Sequence, residues 1–341
     1  MCLNHGKERS KMTGDTQVST LEASSKKEKK SFGNKMKDYF KNLLSDIWKF
    51  RISYLFIAPF MIMFLIFIII PVVTAMGLSF TYFNSIEFPE WSGWLNYQTL
   101  FSQDIVFLQN VLPNTFKFSF FVGPVGFILA FFLAWFISQL PNALRMIFAL
   151  GAYAPSLAAG VAMAVVWQVM FSGDRTGYIN SFLLSNGFIT EPIIFLLDQG
   201  WLLNIMIVIA IWSSMGIGFL ALLAGLLNVD QELYDAGKID GISSRLQEIW
   251  YITIPSLKPQ LLFAGVMSIV HTLQSGELGV QLSGTNPTPN YAGQVMISHI
   301  DDYGFIRFEL GYASAISVIL LLLMFGLSRI IGYFFSEKED E

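Results

Sequence analysis

Six long apolar stretches constrain this chain more than any other feature. They lie at about 54–80, 113–137, 145–171, 201–227, 260–283 and 312–335. Each is near or above the ~20 residues that a helix needs to cross a hydrocarbon core of about 30 Å. Over the whole chain 54% of residues are hydrophobic and only 13% are charged, against about 25% charged in soluble domains. A soluble fold of 341 residues could not cover itself in polar surface with so little charge. Lipid must be part of its solvent, and the expected fold is all-α, a polytopic membrane protein with six transmembrane helices.

The fifth stretch tests that count, because it carries His271, Gln274, Glu277 and Gln281. Charge asymmetry decides between six spans and five. Of the 21 Lys and Arg, 12 lie between Lys7 and Arg51, which places the N-terminus in the cytoplasm. With six spans, the outward loops 81–112, 172–200 and 284–311 hold no basic residue, Arg175 alone and Arg307 alone. Arg145, Lys238, Arg245, Lys258 and Lys338 then fall inside. Five spans would put the C-terminus outside, and Arg307, Arg329 and Lys338 with it. The expected protein is therefore a multi-pass component of the cell membrane with both termini cytoplasmic.

Residues 1–33 are rich in Lys, Ser, Glu and Thr without apolar periodicity and read as a disordered tail. From 34 to 52 the pattern changes. Met36, Tyr39, Phe40, Leu43, Leu44, Ile47 and Trp48 recur at helical spacing among lysines, as in an amphipathic helix lying in the headgroup plane. Residues 53–335 form the membrane domain and 336–341 an acidic cytoplasmic tail. Cys2 is the one cysteine and has no apolar region before it, so neither a disulfide nor a lipoprotein signal is expected.

The inward loop 228–259 is unlike a passive connector. Glu232 to Asp240 has good helix formers interrupted only by Gly237, and Gly241 breaks the run. Ser244 followed by Gln247 has the form of a capping box that restarts a helix, and Pro255 and Pro259 close it. Such a helix, turn and helix at the membrane surface suits docking in a groove on a cytoplasmic partner.

The segment Glu232-Leu233-Tyr234-Asp235-Ala236-Gly237-Lys238-Ile239-Asp240-Gly241, followed by Ile252-Thr253-Ile254-Pro255 and Pro259, resembles the EAA loop of binding-protein-dependent ABC importer permeases of the carbohydrate-uptake type. Asp235 stands for Glu, Gly237 for the second Ala, Ile242 for Ala, and Asp230 where a Pro is usual. The resemblance continues in Trp94-Leu95-Asn96-Tyr97, in Asn114-Thr115, in Arg145, Pro155 and Trp167, and in Gly311-Tyr312-Ala313-Ser314-Ala315. It departs at Ser283-Gly284-Thr285-Asn286-Pro287, where the family has a glycine run before the proline. The resemblance implies a loop that docks on an ATP-hydrolysing subunit, with Glu232, Asp235, Ala236, Gly237, Asp240, Gly241 and Pro255 as the coupling residues. It further implies a second, homologous permease, two ATPase subunits that use ATP and Mg, and an extracytoplasmic solute-binding protein. A sugar or oligosaccharide would move inward by alternating access.

No phosphate-binding loop is present: Gly237-Lys238 is followed by Ile and lacks the upstream glycine. The chain is thus expected to bind no cofactor of its own and to be a transporter subunit, not an enzyme. His5, His271 and His299 are far apart, so no metal site is expected, and the basic excess concerns topology and not nucleic acid. Two rivals remain. An ion-coupled secondary transporter could use Glu277, and a membrane-embedded hydrolase could use Ser268, His271 and Glu277. His271, Gln274, Glu277 and Gln281 fall on one helical face. Such a stripe is costly against lipid. It either lines a wet path for a hydroxyl-rich solute, with Trp167 stacking on sugar faces, or packs against the partner permease.

Overall fold

The computed structural model describes residues 49–158 and 160–335. The tail 1–33, residues 34–48 of the expected interfacial helix and the acidic end 336–341 lie outside the described residues. The chain divides into two compact units between Val72 and Val73. In the first, the helix Arg51–Phe64 contains Pro59 and continues through a π-helical turn, Leu65–Ile69; none of these residues is buried.

Among the described residues, four helices are long and apolar enough to cross a membrane: Arg51–Leu78, Phe107–Ser138, Leu202–Asn228 and Leu310–Phe334. Two bent pairs bring the number to six if each pair is one span. The third span is one of them. Instead of one rod over 145–171 there are Asn142–Leu157 and Ala162–Met170, bent by 97°. Pro155 lies in the last turn before the break, where its ring removes a backbone donor. The fifth span, Lys258–Ser283, is preceded at 84° by Arg245–Ser256, which is the second half of the 228–259 loop. The only β-structure among the described residues is a two-stranded hairpin in which Thr81 faces Trp91 and Tyr82 faces Glu90.

Within the second unit, spans two, four and five form the centre. Phe118 and Val122 pack with Leu202, Met206 and Ala210. Farther along, Ala130 and Ala134 meet Phe219, Leu222, Leu261 and Ala264. A third cluster joins Phe107, Val111 and Leu273 to Ile316 and Leu320 of the sixth span. Lipid tails are as apolar as leucine, so close packing at small residues must hold such helices together. Gly218 shows this: a Cβ there would stand 3.2 Å from the Ala264 Cα. Span two takes a π-helical turn at Phe121–Val125 around Pro124, which absorbs the missing donor without ending the helix.

At the end of the unit opposite the 228–259 loop, polar side chains hold the connections. Asn96 donates to the carbonyls of Ser79 and Thr81, both at 2.9 Å. The Asn114 amide reaches the carbonyls of Tyr291, Ala292 and Gln294, and the Met296 N–H donates to the Thr115 hydroxyl at 2.9 Å. The signature residues of the resemblance at these positions therefore tie loops to spans. Asp104 is the densest knot. Its carboxylate, 6% exposed, accepts from His299 Nε2 at 3.2 Å, the Tyr312 hydroxyl at 2.7 Å, the Tyr303 hydroxyl at 3.4 Å and the Phe107 N–H at 2.8 Å. Burial alone would raise its pKa, but the bonds from His299, Phe107 and Tyr312 hold it down at about 2.

Two predictions follow from this packing. A Cβ at Gly276 would collide with Ile297 and Val295, so Gly276→Ala should cost about 1–3 kcal/mol of stability, read as an earlier thermal unfolding midpoint in detergent. Asp104→Asn should cost about 2 kcal/mol near neutral pH. Because the folded pKa is depressed from 3.8 to about 2, the contribution is complete above about pH 4 and is lost as pH falls toward 2. The gap between wild-type and variant midpoints should close over that interval; a gap that is constant with pH would remove the charge from the argument.

Candidate functional site

The 228–259 loop folds as its local chemistry dictates. Asp230 caps the helix Gln231–Ile239 by accepting from the Glu232 N–H at 3.0 Å, which explains an Asp where the resemblance leads one to expect Pro. Gly241 follows at a φ of +96°, a conformation that residues with a Cβ rarely adopt. The capping box is present: the Gln247 N–H donates to Ser244 Oγ at 3.2 Å, and the Ser244 N–H donates to Gln247 Oε1 at 3.2 Å. The second helix then runs from Arg245 through a π-helical turn, Ile249–Thr253, to Ser256.

The two helices are locked together by Tyr234 and Thr253, whose hydroxyls stand 3.0 Å apart, and by Gly237. That glycine is buried, and a Cβ on it would lie 2.6 Å from the Ile252 Cδ1. The glycine that stands for the second Ala of the resemblance is therefore a seat for Ile252. Glu232, Asp235, Ala236 and Asp240 are exposed, as is Pro255. Asp235 pairs with Lys238 at 2.9 Å, and Ile239 is 87% exposed among these charges. The first helix thus presents a largely acidic, solvated surface with Leu233 and Ile239 as its exposed apolar side chains.

Span five carries the second candidate region. His271, Gln274 and Glu277 are exposed and Gln281 is half-buried. The helix does not run straight through them: it ends at Gln274, takes a 3₁₀ turn at Ser275–Glu277 and resumes at Leu278. Gln281 Nε2 donates to Glu277 at 3.4 Å, and Gln168 of the third span holds the Gln281 carbonyl at 2.6 Å. Trp167 points into packing, edge-on to Trp212 at 5.5 Å and tilted on Phe171 at 5.9 Å.

The stripe leads to a cavity that sequence reasoning did not find. About 230 Å³ lie open between spans two to five, and Tyr153, Ser156, Ser214, Ser268, His271 and Thr272 supply its polar lining. It forms where span four is interrupted between Ser213 and Ile217. Gly126 lets span two close on that interruption, since a Cβ there would come within 2.9 Å of Ser214 Oγ. The available signal was a Ser213-Ser214-Met215-Gly216 run inside an apolar span. The Ser214 and Ser156 hydroxyls donate back to carbonyls of their own helices, both at 2.7 Å, so their lone pairs are what the cavity receives. Hydrolytic chemistry is not assembled here. Ser268 donates to the Gly123 carbonyl at 3.1 Å, and His271 Nδ1 meets Ser275 Oγ at 3.3 Å.

Comparison with known proteins fits this geometry. A family model described as the binding-protein-dependent transport system inner membrane component matches residues 123–338. The chain is 31% identical to the arabinooligosaccharides transport system permease protein AraP of Bacillus subtilis over 81% of this chain and 86% of that one. It is 30% identical to the lactose transport system permease protein LacF of Rhizobium radiobacter over 84% and 95%. In three dimensions it is similar to a chain of a bacterial ABC transporter involved in the import of the acidic polysaccharide alginate. The TM-score is 0.71 at 24% identity, over 86% of this chain and 98% of the other, a likeness of fold. With more than half its length matched, the chain belongs to the binding-protein-dependent ABC importer permeases, the multi-pass inner membrane components of these systems, and is a transporter subunit, not an enzyme.

Proposed function

We propose that this permease carries a sugar or oligosaccharide inward by alternating access, driven by ATP and Mg used in a separate ATPase. The observation that carries the reading is the continuous polar surface from the hydroxyl-lined cavity at Ser214 and Ser268, through His271, to the exposed Gln274 and Glu277. Hydroxyl, amide and carboxylate groups are the partners that a polyhydroxylated solute needs. Relatives named for arabinooligosaccharide and lactose transport support a saccharide over other polar solutes.

A stripe exposed on a single chain in hydrocarbon would cost several kcal/mol. A second permease facing it removes that cost and completes the path. An extracytoplasmic solute-binding protein delivers the solute from outside; one solved relative is an alginate transporter in complex with an alginate pentasaccharide-bound periplasmic protein. The basic N-terminal segment sets the orientation, with both termini and the 228–259 loop in the cytoplasm.

The ATPase grips the exposed face of Gln231–Ile239 through Glu232, Asp235 and Asp240, with Ala236 between them and Ile239 as the apolar anchor. Gly237 and Gly241 fix the angle to the second helix, and Pro255 lies where that helix turns into span five. Closure of the ATPase dimer draws two such loops together, and rigid helices carry the motion to the cavity.

Gly241→Pro and Asp235→Lys should each reduce ATP-driven uptake at least about tenfold, as loss of a positioned coupling contact does, while the protein still reaches the membrane. Normal uptake in both variants would remove the loop from coupling. Glu277→Gln should change the KM or the rate of uptake and leave co-purification of the ATPase unaltered; wild-type transport would make the stripe structural.

A further inference from the structure

Two carboxylates, Glu277 and Asp301, stand near the mouth of the proposed path. Gly276 is buried with Ile297 and Val295 against it, so the Ser275–Glu277 turn is seated on the short helix Met296–Asp301. Asp301 lies one helical turn beyond Ile297 on that helix. Its carboxyl pKa is raised by burial and, next, by the negative charge of Glu277. Glu277 is joined through Gln281 to Gln168. Gln168 in turn borders a cavity of about 390 Å³ with Ser172, Asp174 and Ser283. Hydrogen bonds thus link Glu277 to the edge of this cavity.

Two of the three cations at this end are engaged by other groups. Among its described residues the Lys and Arg are Lys117, Arg175 and Arg307. Lys117 donates to Asn204 at 3.2 Å. Arg307 is paired with Asp302 at 2.7 Å and lies 4.2 Å over the Tyr303 ring. Arg175 is exposed in the loop beside Asp174. His299 is committed to Asp104.

We infer that the mouth is a charge filter, in which Glu277 and Asp301 admit uncharged and amine-bearing saccharides and turn away saccharides that carry carboxylate or sulfate. A narrow, low-dielectric cleft lined by one sign of charge concentrates the opposite sign and depletes its own, and like-charge juxtaposition is a common means of rejecting a wrong partner. The inference rests on the stripe being the solute path, and its test separates the two.

Cys2 is the one native thiol, so a Cys2→Ser background allows Gln274→Cys and Gln281→Cys to be labelled singly in the assembled transporter, with and without ATP. Two methanethiosulfonates are compared, one bearing trimethylammonium and one bearing sulfonate, each rate normalised to that of a free thiol. The cationic reagent should react about tenfold faster or more, and adding Glu277→Gln with Asp301→Asn should bring the ratio close to one. Equal rates before neutralisation, or a ratio that neutralisation leaves unchanged, would overturn the filter and leave the path intact. Silence of both thiols toward both reagents would show that no wet path runs along the stripe, and the filter would fall with it.

Discussion

Hydrocarbon offers no hydrogen bonds, and the architecture of this chain answers to that constraint. Each backbone N–H and C=O within the bilayer must find its partner inside the protein, which makes long helices the rule. The informative places are where the rule is broken. Span four is interrupted between Ser213 and Ile217, span five at Ser275–Glu277, and the third span bends after Leu157. Irregular backbone at such depth is tolerated where it is buried in protein or lines a wet space. The cavity with Ser214, Ser156 and His271 gathers around two of these breaks, and Glu277 stands at the third.

The same constraint explains the polar ties at the end opposite the 228–259 loop. Spans that are apolar on every side slide easily against each other, since lipid and partner helix are equally good neighbours. Register has to come from polar contacts near the water boundary. Asn96, Asn114 and Thr115 each bond to backbone groups of a distant segment. Asp104 gathers the start of span two, the Met296–Asp301 helix and the start of span six onto one carboxylate. These side chains fix which helix meets which.

The 228–259 loop solves a different problem: it must present an exposed, charged helix in a fixed direction with few contacts behind it. Local devices supply the stiffness. Asp230 and the Ser244–Gln247 box start the two helices, Gly241 sets the turn, and Ile252 in the space left by Gly237 clamps them. The Tyr234–Thr253 contact adds a polar tie across the same seam. Among the exposed acidic side chains of the first helix, Asp235 is paired with Lys238.

The sequence by itself determined the apolar spans, the all-α class and the caps and turn of the 228–259 loop. All of these rest on interactions within about ten residues or on composition, which are written along the chain. Tertiary structure alone decided the rest. Asp104 and Tyr312 are 208 positions apart and share a hydrogen bond. His299, one of three scattered histidines, is buried on that same carboxylate. Trp167 packs edge-on to Trp212, and the hydroxyl-lined cavity draws its polar lining from the third, fourth and fifth spans. Where a helix is apolar all round, periodicity does not say which face meets a neighbour. Rotation and contact are then set by glycines, kinks and a few polar ties, and these act only once the helices are together.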